Sequence, residues 1–182
     1  MIAGSIFMNT YIRFFFEAYL ELCISTMLRL NILAFGLTSS DFHSVFCLVS
    51  LILIVLAPVS TGLFFLACKS KVNSEKFKNR CSALIAEIRV RERITLLYPF
   101  FFMVRRLLYA IILVNWLNRN YFQVQLVIVK TSFFMVYVAG YRPYESRLAN
   151  GVEFINELLT SLCAYNLVCF TDFVPDSAAK YD

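Results

Sequence analysis

Charged residues are scarce in this chain: Asp, Glu, Lys and Arg supply only 16% of its 182 residues. Soluble domains carry about 25% charged and about 45–50% apolar residues. Here hydrophobic residues reach 60%. A soluble domain of this size would need more polar surface to cover its core. The shortage of charge therefore excludes an ordinary soluble domain and predicts that much of the surface faces lipid.

Glycine and histidine are also rare, with five glycines and one histidine. So few glycines leave no Gly-rich loop that could hold a phosphate. His43 stands beside Asp41 without the further ligands or bases that a metal or catalytic site would need. The serines lack the G-x-S-x-G context of a hydrolase nucleophile. The sequence thus predicts no enzyme activity, no metal, no cofactor and no nucleic-acid partner.

The six cysteines form no CxxC pair and no cluster with histidine. One of them, Cys81, lies in a basic loop. The others lie in or at the ends of apolar runs: Cys23, Cys47, Cys68, Cys163 and Cys169. We therefore predict small buried hydrophobic side chains rather than a disulfide framework.

Long apolar stretches dominate the rest of the chain and predict an all-α integral membrane protein, a polytopic bundle of about five spans. About 20 apolar residues suffice to cross the hydrocarbon core of a bilayer. Pro58 falls inside the second stretch, where a kink or local re-pairing of the backbone is expected. The predicted spans cover residues 7–35, 42–68, 95–117, 121–139 and 150–170.

The main polar segment, residues 69–93, is strongly basic. Apolar residues recur in it at helical spacing, which favours a basic amphipathic helix on the membrane surface that binds anionic lipid headgroups. A solvated linker helix docked on protein is the alternative. Its basic residues put this loop on the cytoplasmic side, or the matrix side in an organelle. These residues are Lys69, Lys71, Lys76, Lys78, Arg80, Arg89, Arg91 and Arg93.

Ionisable residues inside the first predicted span form a polar stripe. Arg13, Glu17 and Glu21 follow one another at every fourth position, so they lie within about 80° of one another on a helix. A charge in the bilayer core costs a few kcal/mol, so the stripe must face protein or water. Arg13 and Glu17 can pair directly. Either an ion path or a buried ion-pair network that fixes helix packing would explain the pattern.

Two further sets of charges lie in the later spans. Arg105 and Arg106 point about 100° apart on a helix. We expect them to snorkel to the interface or to pair with Glu17 or Glu21. Lys130 in the fourth span needs a carboxylate, and Glu153 and Glu157 in the fifth are the natural candidates. Such a set either locks two helices or moves protons or cations.

Several short motifs resemble those of the last membrane helices of TRP-like, polycystin-related proteins. Large cysteine-rich membrane proteins of protists share that region. The start of the chain resembles the first helix of the same block. The matching residues are Arg13–Glu21, Arg105–Ala110, Arg142–Tyr144, Asn150, Glu153, Asn156–Glu157 and Asp172–Phe173.

The resemblance implies a membrane region that is either cation channel-like or anchors a surface structure. The chain has no segment typical of a pore loop with a glycine and an acidic filter residue. The alternative function is a non-catalytic accessory subunit of a large membrane complex, such as an organellar assembly. Expected partners are the bilayer, anionic lipids and other membrane subunits or further copies. A plasma or surface membrane is favoured over an organellar inner membrane, and the chain is expected to be a segment of a longer protein.

Overall fold

The computed structural model describes residues 2–34, 41–68, 88–89, 93–117 and 119–170. The described part of the chain is helical, as predicted, and its β-structure is limited to one isolated bridge between Ile88 and Tyr144. Most of the predicted basic helix, residues 69–87 and 90–92, lies outside the described residues. The helices are α1 (Ile2–Ala34), α2 (Asp41–Cys68), α3 (Arg93–Leu96), α4 (Tyr98–Asn115), α5 (Asn120–Tyr141) and α6 (Arg147–Val168).

Three of these helices are long and apolar enough to cross a membrane. They contain the segments Ser44–Ala67 in α2, Tyr98–Asn115 in α4 and Asn120–Tyr141 in α5. The helices α1 and α6 also have the length, but both carry more polar and charged residues. Length and composition thus make α2, α4 and α5 the candidate membrane spans among the described residues.

The helices pack as two groups joined by α4. The pair α5 and α6 has the most extensive contact, while α1 packs along α4 and α2 lies against both. A buried core between α1, α2 and α4 is formed by Tyr19, Cys23, Ile54, Met103 and Ala110. The helix α4 also contacts α5, and so connects the two groups.

Two of the cysteines behave as predicted and two do not. Cys23 and Cys47 are buried free thiols. Cys163 and Cys169 are free but exposed, which corrects the expectation of burial. The reason is their position near the end of α6 and in the turn after it, where most side chains are exposed.

Pro58 leaves a carbonyl group without its helical partner, and α1 supplies the replacement. A proline has no N–H, so the carbonyl four residues earlier, that of Ile54, loses its usual hydrogen bond. The Tyr19 hydroxyl donates to this Ile54 oxygen at 2.8 Å. Both residues are buried, at 1% and 0% exposure. The tyrosine thus satisfies the backbone defect and fastens α1 to α2.

Gly62 allows α2 to approach α4 closely. A Cβ atom at this position would lie 3.1 Å from the Phe100 ring, whereas one at Gly140 would meet nothing within 4 Å. We expect Gly62→Val to lower the free energy of unfolding by about 1–3 kcal/mol, since overpacking forces neighbouring groups to move. Gly140→Val is the matched control and should change it by less than about 1 kcal/mol. Reversible SDS unfolding in mixed micelles measures both, and equal losses would contradict this packing.

An elbow between α5 and α6 sets the direction of the last helix. Arg142 adopts a left-handed conformation with φ of 46°, which ends α5. The following Pro143 is fully buried, and its carbonyl accepts the Arg89 N–H at 2.8 Å. The hydroxyl of Thr95 donates to the Arg89 carbonyl at 2.6 Å. The segment before α4 and the elbow are therefore joined at one end of the bundle.

Asn150 holds the elbow closed from within α6. Its Nδ2 donates to the Tyr144 carbonyl at 2.8 Å and to the Ser146 carbonyl at 2.9 Å. Its Oδ1 accepts the Tyr144 N–H at 3.0 Å. Asn150 is only 8% exposed, so its amide is satisfied by these three bonds to the elbow backbone rather than by water.

Candidate functional site

The candidate site is a cluster of opposite charges between α4 and α6, centred on Arg105. The Nη1 of Arg105 donates to Glu153 Oε1 at 2.7 Å and also to Glu157 Oε1. The three side chains are 18%, 14% and 6% exposed, with Glu157 the most buried. Charge-assisted hydrogen bonds of this kind are about twice as strong as neutral ones.

Helical spacing explains why one arginine reaches two carboxylates. Glu153 and Glu157 are four residues apart, so they lie one above the other on a single face of α6. Short connections on either side of α5 make α4 and α6 run in the same direction. A terminal guanidinium nitrogen has two N–H groups, one for each carboxylate.

Two tyrosines extend the cluster toward the elbow. The Tyr98 hydroxyl donates to Glu153 Oε1 at 3.0 Å, and the Tyr144 hydroxyl donates to the Tyr98 oxygen at 2.8 Å. Their rings pack edge to face with centroids 5.0 Å apart. A continuous chain of hydrogen bonds thus runs from the elbow to Arg105. Sequence reasoning did not find this role for the tyrosines.

Lys130 lies near the cluster but does not form the expected ion pair. Its Nζ lies 5.0 Å from the centre of the Tyr109 ring, a cation–π contact. The carboxylate that acts on it electrostatically is Glu157. Within the described residues, the ion pairs of Glu153 and Glu157 are both with Arg105. The Lys130 ammonium therefore acts on the Glu157 carboxylate electrostatically without forming a direct ion pair with it.

Arg106 points away from the cluster and meets α1. Its Nη1 donates to the Phe16 carbonyl and, at 3.2 Å, to the Glu17 carbonyl. Its guanidinium carbon lies 4.2 Å from the centre of the Phe102 ring. The expected pairing of the two arginines with the carboxylates of Glu17 or Glu21 is therefore replaced by contacts to the α1 backbone and to α6. Adjacent helical residues point in different directions, so Arg105 and Arg106 serve different neighbours.

The two carboxylates of the polar stripe on α1 are not brought to the Arg105 cluster. The side chains of Glu17 and Glu21 are exposed. The side chain of Arg13 lies outside the described residues, so its pairing with Glu17 stays a prediction. Of the basic residues proposed to bind headgroups, Arg89 is half-buried near the elbow and Arg93 begins α3. The other six, Lys69, Lys71, Lys76, Lys78, Arg80 and Arg91, lie outside the described part.

The cluster holds both of its carboxylates in ion pairs with a cation of the same bundle. Besides Arg105, two further cations act on these carboxylates electrostatically, Lys130 on Glu157 and Arg106 on Glu153. No group of three or more His, Cys, Asp or Glu residues suited to a metal occurs among the residues that the structure describes. No protein family, curated protein or solved structure matches this chain.

Proposed function

We propose that this chain is the membrane-embedded region of a TRP-like protein, and that it anchors a surface structure rather than conducting cations. The observation that carries this proposal is the cluster of Arg105, Lys130, Glu153 and Glu157, in which both carboxylates are ion-paired to Arg105. A cation path would need carboxylates left open for the passing ion. Here both carboxylates accept hydrogen bonds from a guanidinium of the same bundle.

The same cluster supports the proposal of about five spans. Arg105 lies about 11 Å from the start of α4, and Glu157 lies about 15 Å from the start of α6, at a rise of 1.5 Å per residue. The two helices run in the same direction, and the elbow before α6 is hydrogen-bonded to the segment before α4. The α6 helix should therefore lie at the same depth in the bilayer as α4. Its carboxylates can enter the bilayer because they are paired. Contact of Arg106 with the middle of α1 supports the same depth for α1.

The orientation of the bundle is proposed from its basic segments. Arg89 is joined to Pro143, next to Arg142 in the elbow. The described end of the basic loop and the basic elbow therefore lie at one end of the bundle. Such an accumulation of Lys and Arg favours the cytoplasmic side. We propose that the eight basic residues of segment 69–93 bind anionic headgroups there.

An accessory subunit of a larger membrane complex is the second candidate. It is favoured by the small buried share of the apolar segments, 28% for Ser44–Ala67 and 17% for Asn120–Tyr141. Apolar faces of this extent leave room for the helices of neighbouring subunits. Isolation of the native protein under mild detergent separates the candidates, because an accessory subunit would be recovered with stoichiometric partner chains.

Cation flux through the reconstituted chain tests the anchoring proposal. We expect folded wild-type protein in vesicles to give sodium and potassium flux no greater than protein-free vesicles. Glu153→Gln and Glu157→Gln should leave that baseline unchanged. A wild-type cation current that either substitution alters would contradict the proposal and establish conduction instead. Circular dichroism of the same vesicles verifies that each variant is folded, and resistance to alkaline carbonate extraction verifies that it is inserted.

A further inference from the structure

The outer face of α6 presents an unpaired amide at membrane depth. Asn156 lies about 14 Å from the start of α6 at 1.5 Å per residue. It is exposed, and its side chain forms no hydrogen bond with another residue of the described part. Asn166 on the same helix differs, because its Nδ2 donates back to the Leu162 carbonyl at 3.0 Å. An amide that faces lipid without a hydrogen-bond partner costs free energy. We therefore expect the Asn156 side chain to hydrogen-bond to another molecule.

The residues around Asn156 follow a heptad pattern. Exposed residues recur at alternating steps of four and three: Val152, Asn156, Leu159 and Cys163. This spacing keeps the four side chains on one face and is the one by which two parallel helices interlock. Asn156 occupies a central position of that face, which is where a single buried asparagine fixes the register of a helix pair.

We propose that α6 pairs with α6 of a second copy of this chain, with Asn156 on a two-fold axis. This inference rests on the proposed embedding of α6 in the bilayer. A second copy is the fitting occupant because an amide is both donor and acceptor, so two Asn156 side chains satisfy each other across the axis. The face is uncharged, so two identical copies meet without repulsion.

Two exposed native cysteines allow this dimer to be tested by disulfide cross-linking. Cys163 belongs to the proposed contact face, while Cys169 lies about 120° away around the helix axis. Two chains are compared, each with Cys68, Cys81 and one of these two thiols replaced by serine, and both keeping the buried Cys23 and Cys47. Each is reconstituted in vesicles at high lipid excess and oxidised with copper phenanthroline.

We expect the chain that keeps Cys163 to form a disulfide-linked dimer and the chain that keeps Cys169 to remain largely monomeric. Asn156→Val should weaken self-association of the full chain about 3- to 30-fold, the range for one interhelical hydrogen bond. Energy transfer between labelled copies in vesicles measures this change. Asn115→Val is the control, because this exposed amide at the end of α4 lies outside the proposed face, and it should change the association less.

Three results would overturn the inference. Equal cross-linking at Cys163 and Cys169 would indicate random collision, and absence of cross-linking at Cys163 would exclude the contact. Unchanged association of Asn156→Val would remove its basis. A water-soluble maleimide tests separately whether α6 is embedded in the bilayer. Reaction at Cys163 would show that α6 is not embedded, and this would contradict the proposed function too. Protection of Cys163 in a monomeric chain would contradict the dimer alone.

Discussion

Replacement of Arg105 by methionine is expected to lower the free energy of unfolding by about 3–5 kcal/mol, the cost of removing one partner from a buried ion pair. Glu153 and Glu157 would then face each other without a cation between them. Methionine keeps the flexible apolar stem of the side chain, so loss of packing by that stem contributes little. Reversible SDS unfolding in mixed micelles, followed by circular dichroism, measures the change.

Arg119→Met is the matched control for this variant. Arg119 is exposed just before α5, and its backbone N–H donates to the Trp116 carbonyl, a bond that the substitution keeps. Its loss should change the free energy of unfolding by no more than about 0.5 kcal/mol. Equal effects of Arg105→Met and Arg119→Met would show that the cluster does not hold α4 and α6 together.

The second large effect is expected at the elbow, where Asn150→Ala should cost about 2 kcal/mol. The substitution removes the three hydrogen bonds that join the Asn150 amide to the N–H and carbonyl of Tyr144 and to the carbonyl of Ser146. A hydrogen bond of this kind contributes about 0.5–1.5 kcal/mol to stability, reduced where water can replace it. The same unfolding measurement applies.

Asn115→Ala serves as the control for Asn150→Ala, because Asn115 is exposed at the end of α4. It should leave stability within about 0.5 kcal/mol of the wild type. If Asn150→Ala were equally mild, the elbow would be held by the contacts of Pro143 and Arg89 rather than by the amide.

The helices with long uncharged runs could be predicted closely from the sequence. The spans at 42–68 and 121–139 correspond to α2 and α5 within two residues at each end. Hydrophobic length alone determines such helices, because the backbone must satisfy its own hydrogen bonds in lipid. The span at 95–117 instead divides into α3 and α4. Pro99 is at the second position of α4, where its missing N–H costs nothing.

The predicted span at 150–170 leaves out the first turn of α6, which begins at Arg147. Ser146 is the N-cap, and its hydroxyl accepts the Ala149 N–H at 3.4 Å. This cap adds one turn to the helix and brings Asn150 within reach of the elbow. A serine followed by Arg147 and Leu148 is weak as a sequence signal, since the helix has no acidic residue in its first turn.

The members of the charged cluster could be found from the sequence, but their pairing could not. Arg105, Lys130, Glu153 and Glu157 are conspicuous because charges within apolar spans are rare. Which charge meets which depends on the rotation of each helix against its neighbours, and that is set by packing of the whole bundle. Nothing in the sequence distinguishes Tyr98 as a member of the cluster, since tyrosine occurs ten times in the chain.

The double variant Arg105→Met/Glu153→Gln tests most directly whether the membrane charges serve to lock the helices. It removes one positive and one negative charge, so Glu157 and Lys130 remain in balance, and glutamine still accepts the Tyr98 hydroxyl. We predict that this variant recovers at least half of the stability lost in Arg105→Met. A double variant as unstable as Arg105→Met alone would contradict the account, because charge balance would then not be what holds α4 and α6 together.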